Sequence, residues 1–477
     1  MFDKKDPGNI WVSPGFIDGN GTWEKPYSTI KQALDRVKPG NTIILREGIY
    51  SGDLTIQVSG SASAPIRILP YEKGTVEIHE SCWFFYDTSD LIISGLTFKN
   101  SPSGAISVIG KCRRNRFDSL TFICCGSADR SSCTLFFGGS GGEFNIVEGC
   151  VFNRREIKRL KPITPENTSI GLMISEGDCD GSKLRNHVLR RNHIINYDHG
   201  ILVGSSDSSN NLYGHIVENN TIEECGSGAI AVKCGDTQVK GNLVFNCKSK
   251  SISLRAGTGS VVENNRIIDC GSGITVNGSG HTVANNCIVR CGEEAVKVCA
   301  TDGKSIAASN ILIEHNTFVD CGSKETKSKP RIAGITIEPS TTCAVQRNLI
   351  HGQGEALHIV KSVCYIEDLQ KKEISTPAQY VVQDNAASGN CKTSDGFTVV
   401  EADFASPEAG NFENTTSYGA SGWVTESEIP AESDDYFLDY ETGFNVQEDE
   451  NGELIFPQQE LDLSFFGNFE DSQTPEK

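Results

Sequence analysis

Along most of the chain, apolar and polar residues alternate in short runs, as in GAIAV (228–232), SISL (251–254), GITV (273–276) and EAVKV (294–298), with Gly, Asn and Ser between them. Alternation with period two puts successive side chains on opposite faces of a strand, and the intervening residues favour tight turns. Strands this short cannot build a flat sheet or a sandwich by themselves. They must pair with equivalent strands in neighbouring turns of the chain.

Alignment on asparagine exposes the repeat: VENNTIEEC, VKGNLVFNC, VENNRIIDC, VANNCIVRC and IEHNTFVDC. Asn220, Asn242, Asn265, Asn286 and Asn316 recur at steps of 22, 23, 21 and 30 residues, and VQRNLIHGQ adds Asn348 after a step of 32. In the first five units a cysteine follows five residues after the asparagine. This spacing predicts an all-β fold, a single-stranded right-handed parallel β-helix whose coils stack about 4.8 Å apart. The repeated Asn would form an internal ladder that satisfies turn backbone groups. The repeated Cys would form a second ladder of small buried thiols.

The N-terminal stretch fits the same plan. Tyr27–Val37 (YSTIKQALDRV) predicts an amphipathic N-terminal capping helix over the open edge of the first coil. NTIILREGIY, APIRILPY, GTVEIH and LIISGLTF then supply successive strands, and a continuous solenoid is expected from residue 40 to about 365. KRLKPITPENTS (158–169) reads as an excursion from it. The division expected is a capped β-helix over 1–385 and an irregular acidic segment over 386–477.

Composition narrows the function classes. Of the net charge of −19, about −15 lies in Thr425–Lys477, where 16 acidic residues face one basic residue. The rest of the chain is therefore nearly neutral and can meet an acidic partner. No Lys/Arg cluster forms a nucleic-acid footprint. No apolar run is long enough for a membrane span. The 18 cysteines lack the doubly paired spacing of a zinc site, Cys287/Cys291 being an isolated pair. The start MFDKKDPGN carries no signal peptide, so secretion to the periplasm, cell surface or medium would require a leader already removed.

Two basic residues then stand out. Lys233 ends AIAVK and Arg255 ends SISLR, each eight residues after its cysteine. If Ile230, Val232, Ile252 and Leu254 face the core, Ala231, Lys233, Ser253 and Arg255 face out, and the two cations lie one coil apart. The same outer face offers Thr275 and Asn277 on the next coil and Lys297 after that. On the preceding coil Leu202 and Gly204 follow Asn196, Asp198 and His199. Adjacent like charges are destabilising and lower a lysine pKa. Such a pair suits a site that binds an anion and needs a neutral amine.

NYDHGILVGSS (196–206), CGSGAIAVKC (225–234) and SLRAG (253–257), in that order, resemble motifs of polysaccharide lyase family 6, the alginate lyases and chondroitinase B. SGITVNGSGHTVANN, NILIEHNTFVDC, DGNGTWEKPYSTIKQAL and KPGNTIILREGIY are similar to other coils of that family, so the resemblance spans most of residues 10–350. It implies that Lys233 is the Brønsted base, that Arg255 assists proton transfer and binding, and that Asn196 is a calcium ligand. The family's two calcium glutamates fall on Gly226 and Gly228, so no cofactor is expected, calcium staying possible without those carboxylates; catalysis is then calcium-independent, or the activity is lost or altered. The implied activity is cleavage of a uronic-acid polysaccharide by β-elimination. Arg255 and Asn196, with His199 or Asn277 nearby, would stabilise the enolate-like intermediate. Lys297 and His281 are further substrate-binding candidates.

Three other readings stay open on the residues alone. Tyr197-Asp198-His199 resembles, over three residues, a cluster of uronate epimerases. Asp198 and Asp207 are candidates for a hydrolase carboxylate pair, yet no acidic pair sits at equivalent stacked positions. A carbohydrate-binding β-helix without catalysis would expose aromatic residues, yet none of the 4 Trp lies in 190–350. Glu338 in TIEPS is expected to be structural.

Overall fold

The computed structural model describes residues 2–421 apart from 128, 140, 158–163, 165–166, 176–183, 205–211, 304, 324–330, 368–369, 403, 407–410 and 415–417; beyond 421 it describes the pairs Gln447–Glu448 and Leu454–Ile455. Most of the expected excursion at 158–169, Asp207 and most of the acidic segment lie outside the described residues. The chain divides into two units, Met1–Asp403 with Asn414–Ser421, and Phe404–Glu413 with Gly422–Lys477. In the second unit Gln447–Glu448 pairs antiparallel with Leu454–Ile455.

The first unit is a parallel β-helix. One face is a 14-stranded parallel sheet that begins at Asn9–Val12 and ends at Gln379–Gln383. A second ladder climbs through three-residue strands such as Val151–Asn153, His193–Ile195, Thr221–Glu223, Leu243–Phe245 and Arg266–Ile268. A third passes from Trp83–Tyr86 to Leu349–Ile359. Strands with no sheet partner on their own coil are stable because each pairs with the coils before and after it.

The asparagines form the expected ladder. From Asn192 through Asn220, Asn242, Asn265, Asn286, Asn316 and Asn348 to Asn385, each Nδ2 donates to the next Oδ1 at 2.9–3.0 Å. The preceding residue (Asn219, Asn264, Asn285, His315 among them) has positive φ, the left-handed turn that asparagine tolerates. Thiols of Cys225, Cys247, Cys270, Cys291 and Cys321 are buried and free. Beside them the core runs from stacked Phe98, Phe122 and Phe152 into smaller Ile194, Ile222, Val244, Ile267 and Ile288.

A second polar ladder was not legible as a repeat. Asn145 N–H donates to His187 Nδ1 (3.2 Å), His187 N–H to His215 Nδ1 (3.3 Å), Thr237 N–H to Ser260 Oγ (3.2 Å) and Ser260 N–H to His281 Nδ1 (3.0 Å). His281, expected to contact substrate, is only 1% exposed and serves this ladder. That expectation is corrected.

The capping helix is shorter than the pattern predicts, Ile30–Leu34 instead of 27–37. Thr29 and Gln32 close a capping box, and Ile30, Ala33 and Leu34 are buried in the solenoid core. At the other end the parallel ladder passes the expected limit of 385 through Asn385–Lys392 and Phe397–Val399. An antiparallel hairpin, Val363–Glu367 with Gln370–Ile374, leaves the solenoid before it. Among the described residues no helix is long and apolar enough to cross a membrane.

Candidate active site

Six strands of the third ladder carry the candidate residues: β1 (His199–Val203), β2 (Gly228–Val232), β3 (Lys250–Leu254), β4 (Ser272–Val276), β5 (Val296–Val298) and β6 (Ile332–Ile337). Val203, Val232, Leu254, Val276, Val298 and Ile337 pair in register and are buried. Each is followed by one residue on the outer face: Gly204, Lys233, Arg255, Asn277, Cys299 and Glu338. Successive backbone bonds, Lys233 N–H to Val203 O (2.7 Å), Arg255 N–H to Val232 O (2.8 Å) and Asn277 N–H to Leu254 O (2.8 Å), fix this column. Lys233 and Arg255 therefore occupy equivalent places on adjacent coils.

Lys297 stands in the neighbouring outer column with Ala231, Ser253, Thr275 and Thr336. Its Nζ lies 2.7 Å from Glu338 Oε1. Burial alone would pull its pKa down, but the carboxylate of Glu338 outweighs it and the ammonium is pushed up to about 12. Lys297 is thus a fixed cation. Glu338, expected to be structural, also accepts from Ala300 N–H at 2.9 Å.

Alternation slips at the start of these strands. Pairing runs His199 to Gly228 and then Ile201 to Ile230, and Ala229 lies in the core beside Ile230. Two consecutive inward residues turn His199, Gly228 and Lys250 to the outside, where strict alternation from Ile201 would have buried His199. A Cβ built on Gly228 would lie 3.2 Å from His199 Nδ1, so the imidazole rests over that glycine. Among the described residues Nδ1 is buried without a hydrogen-bond partner. Burial, then the charges of Lys233 and Arg255, pulls the ring down to about 4, so it is neutral at physiological pH.

The remaining expected residues divide. Asn277 has only 8% of its surface exposed, and its Nδ2 donates to the carbonyls of Ala300 and Ile306, both at 3.0 Å. It clamps the loop after β5 rather than facing a ligand, a correction to its expected role. From that loop Asp302 reaches Arg255, Oδ2 to Nη2 at 3.6 Å. Asp302 was missed, although the longer step between Asn286 and Asn316 marks the coil that has room for this loop. Asn196 sits in a left-handed turn (φ 61°) with its Nδ2 on Arg154 O at 3.0 Å.

The Tyr-Asp-His cluster comes apart in space. Tyr197 is buried with its hydroxyl 2.9 Å from Thr134 Oγ1. Buried Asp198 accepts from Ser169 N–H (2.7 Å) and Oγ–H (2.8 Å). Of the three, only His199 lies on the outer face with Lys233 and Arg255, which weakens both the epimerase reading and the carboxylate-pair reading built on Asp198.

A calcium ion does not fit the donors at the position the resemblance indicates. Gly226 and Gly228 bring no carboxylate and the space over Gly228 holds the His199 ring, which leaves the Asn196 side-chain oxygen as one neutral donor where calcium takes about six to eight oxygens.

Comparison with known proteins agrees with this architecture. Residues 178–368 match the family model described as Right handed beta helix region, and residues 25–155 match Chondroitinase B. The uncharacterized protein YwoF of Bacillus subtilis is 33% identical over 102 residues, 19% of this chain and 22% of YwoF. Pectate lyase PEL9 of Emericella nidulans is 42% identical over 73 residues, 15% of this chain and 18% of the enzyme. The chain thus matches only a minor part of each curated relative. Among solved structures, the PL6 family alginate lyase AlyGC superposes with a TM-score of 0.63 at 19% identity, over 87% of this chain and 56% of that one. The right-handed parallel β-helix is therefore secure, and the family 6 resemblance read from the motifs meets a Chondroitinase B match in its N-terminal coils.

Proposed function

We propose that this chain is a polysaccharide lyase that cleaves a uronate-containing polymer by β-elimination. The observation that carries the reading is the placement of Lys233 and Arg255 in one outer column on consecutive coils. The floor beside them is small, Gly228, Ala231 and Ser253, and Lys297 adds a third cation one column away. The similar proteins named for chondroitin, alginate and pectate degradation support an acidic polysaccharide as the substrate class.

In this mechanism the amine of Lys233 takes the C5 proton alpha to the uronate carboxylate. The electron pair left at C5 forms the C4–C5 double bond as the C4–O bond breaks, and the leaving oxygen takes up a proton. Arg255 and Lys297 hold the carboxylate and compensate the charge that builds on it. Arg255 is steadied by Asp302, and Lys297 by Glu338.

The test is ultraviolet absorbance of the unsaturated product on alginate, pectate and chondroitin-type substrates. Lys233→Ala should lower kcat by about 10²–10⁴-fold, the usual range for a lost general base, with an unchanged melting temperature. No absorbance on any uronate polymer with the intact chain overturns the lyase reading.

A further inference from the structure

We propose that His199 occupies the place a metal would take in this lyase site, presenting its ring N–H to the substrate carboxylate from over Gly228. The inference rests on the lyase reading above and concerns how the carboxylate is held without calcium-ligating carboxylates.

Three observations carry it. First, Gly228 is a glycine for space and not for backbone conformation. Its φ lies outside the left-handed region that demands glycine, yet a Cβ there would press on His199 Nδ1 at 3.2 Å. Gly228 is also held in place from beneath, because Ser227 N–H (2.8 Å) and Gly228 N–H (3.0 Å) both donate to Asp198 O. The ring and the glycine form one fitted unit.

Second, the ring is unpartnered on its inner edge. Nδ1 is buried and makes no hydrogen bond among the described residues. A buried unpaired N–H is rarer in proteins than a buried unpaired acceptor, which favours the tautomer with its proton on Nε2. The half-buried ring then offers Nε2–H as its polar edge on the outer face that carries Lys233 and Arg255. A neutral donor suits this place, because an imidazolium would be repelled by Arg255 throughout the reaction and by Lys233 once it has taken the proton. Burial and those two charges hold the imidazole neutral.

Third, the ring reaches the outer face only through the slip in alternation at the start of β1. In a regular strand the residue two before Ile201 would enter the core. The same slip on β2 turns Gly228 outward, so histidine and glycine are brought together by one local feature of the coil.

Kinetics of the full-length chain on whichever uronate polymer it cleaves provide the test. His199→Ala should lower kcat/KM by about 10²-fold, the usual loss when one oxyanion donor is removed. His199→Asn, which keeps an N–H, should lose less. Gly228→Ala should lower activity in the wild-type background and cost nothing further beside His199→Ala, because the added methyl acts by displacing the ring. Chelator should leave the wild-type rate unchanged. Melting temperatures of all variants separate loss of fold from loss of binding. An active chain whose kcat and KM are unaffected by His199→Ala overturns the role of His199 while leaving the lyase reading intact, and so does loss of wild-type activity with chelator. An intact chain inactive on every uronate polymer overturns both.

Discussion

At the scale of the residue, the solenoid stands on buried asparagines with nearly all of their hydrogen-bonding capacity used. Asn265 is fully buried. Its Nδ2 donates to Val239 O (2.8 Å), Glu263 O (3.0 Å) and Asn286 Oδ1 (2.9 Å), while its Oδ1 accepts from Asn242 N–H (3.0 Å) and Nδ2 (2.9 Å). Replacing it with Ala strands several of these partners without water, at roughly 1–3 kcal/mol for each group left unpaired. Asn265→Ala is therefore expected to destabilise the chain by on the order of 3 kcal/mol in urea unfolding. A loss under about 0.5 kcal/mol, the level of an ordinary surface substitution, would contradict the ladder's role. This ladder was legible in the sequence because the same residue type recurs on every coil. The neighbouring ladder was hidden because Asn, His, Thr and Ser alternate in it, so His281 looked like a lone functional histidine.

At the scale of the element, the strands followed from alternation and their register from the Asn and Cys repeat, and together these placed Lys233 beside Arg255. Alternation did not show the slip before Ile201 and Ile230, because Ala229 and Gly200 are small enough to pass for either face. The loop after β5 was legible only as extra length. Asn277 holds its carbonyls, and Asp302 reaches from it to Arg255. Asn277→Ala should free this loop and let Asp302 leave the guanidinium. Hydrogen exchange at 300–307 should rise, and kcat/KM should fall by about 10-fold, as expected when a positioning contact is lost. Faster exchange with unchanged kinetics would mean that the loop has no part in holding Arg255. The helix over the first coil illustrates the opposite error: a pattern of eleven residues yielded five, since Thr29 and Asp35 cap it on either side.

At the scale of the whole molecule, a stack of coils buries polar groups along its length, and this sets how the fold responds to acid. His187, His215 and His281 lie inside the solenoid, with His187 and His215 rings stacked at 5.3 Å. Burial lowers His215 to about 3 and His281 to about 4, and it holds His187, also beside His215, well below its ordinary value. In the unfolded chain the same rings titrate near 6.5. Between about pH 6.5 and 4 the unfolded state thus binds protons that the folded state refuses, and stability must fall as pH drops through that window. Each such histidine contributes a slope of about 1 kcal/mol per pH unit between roughly pH 6 and 5. His281→Asn provides a clean control, because Asn115 and Asn145 already hold the same ladder position and an amide oxygen can accept from Ser260 N–H as Nδ1 does. Urea midpoints measured from pH 7 to 5 should fall less steeply in His281→Asn than in the wild type. An equal slope in both would show that His281 is charged inside the fold, and the neutral ladder would have to be abandoned.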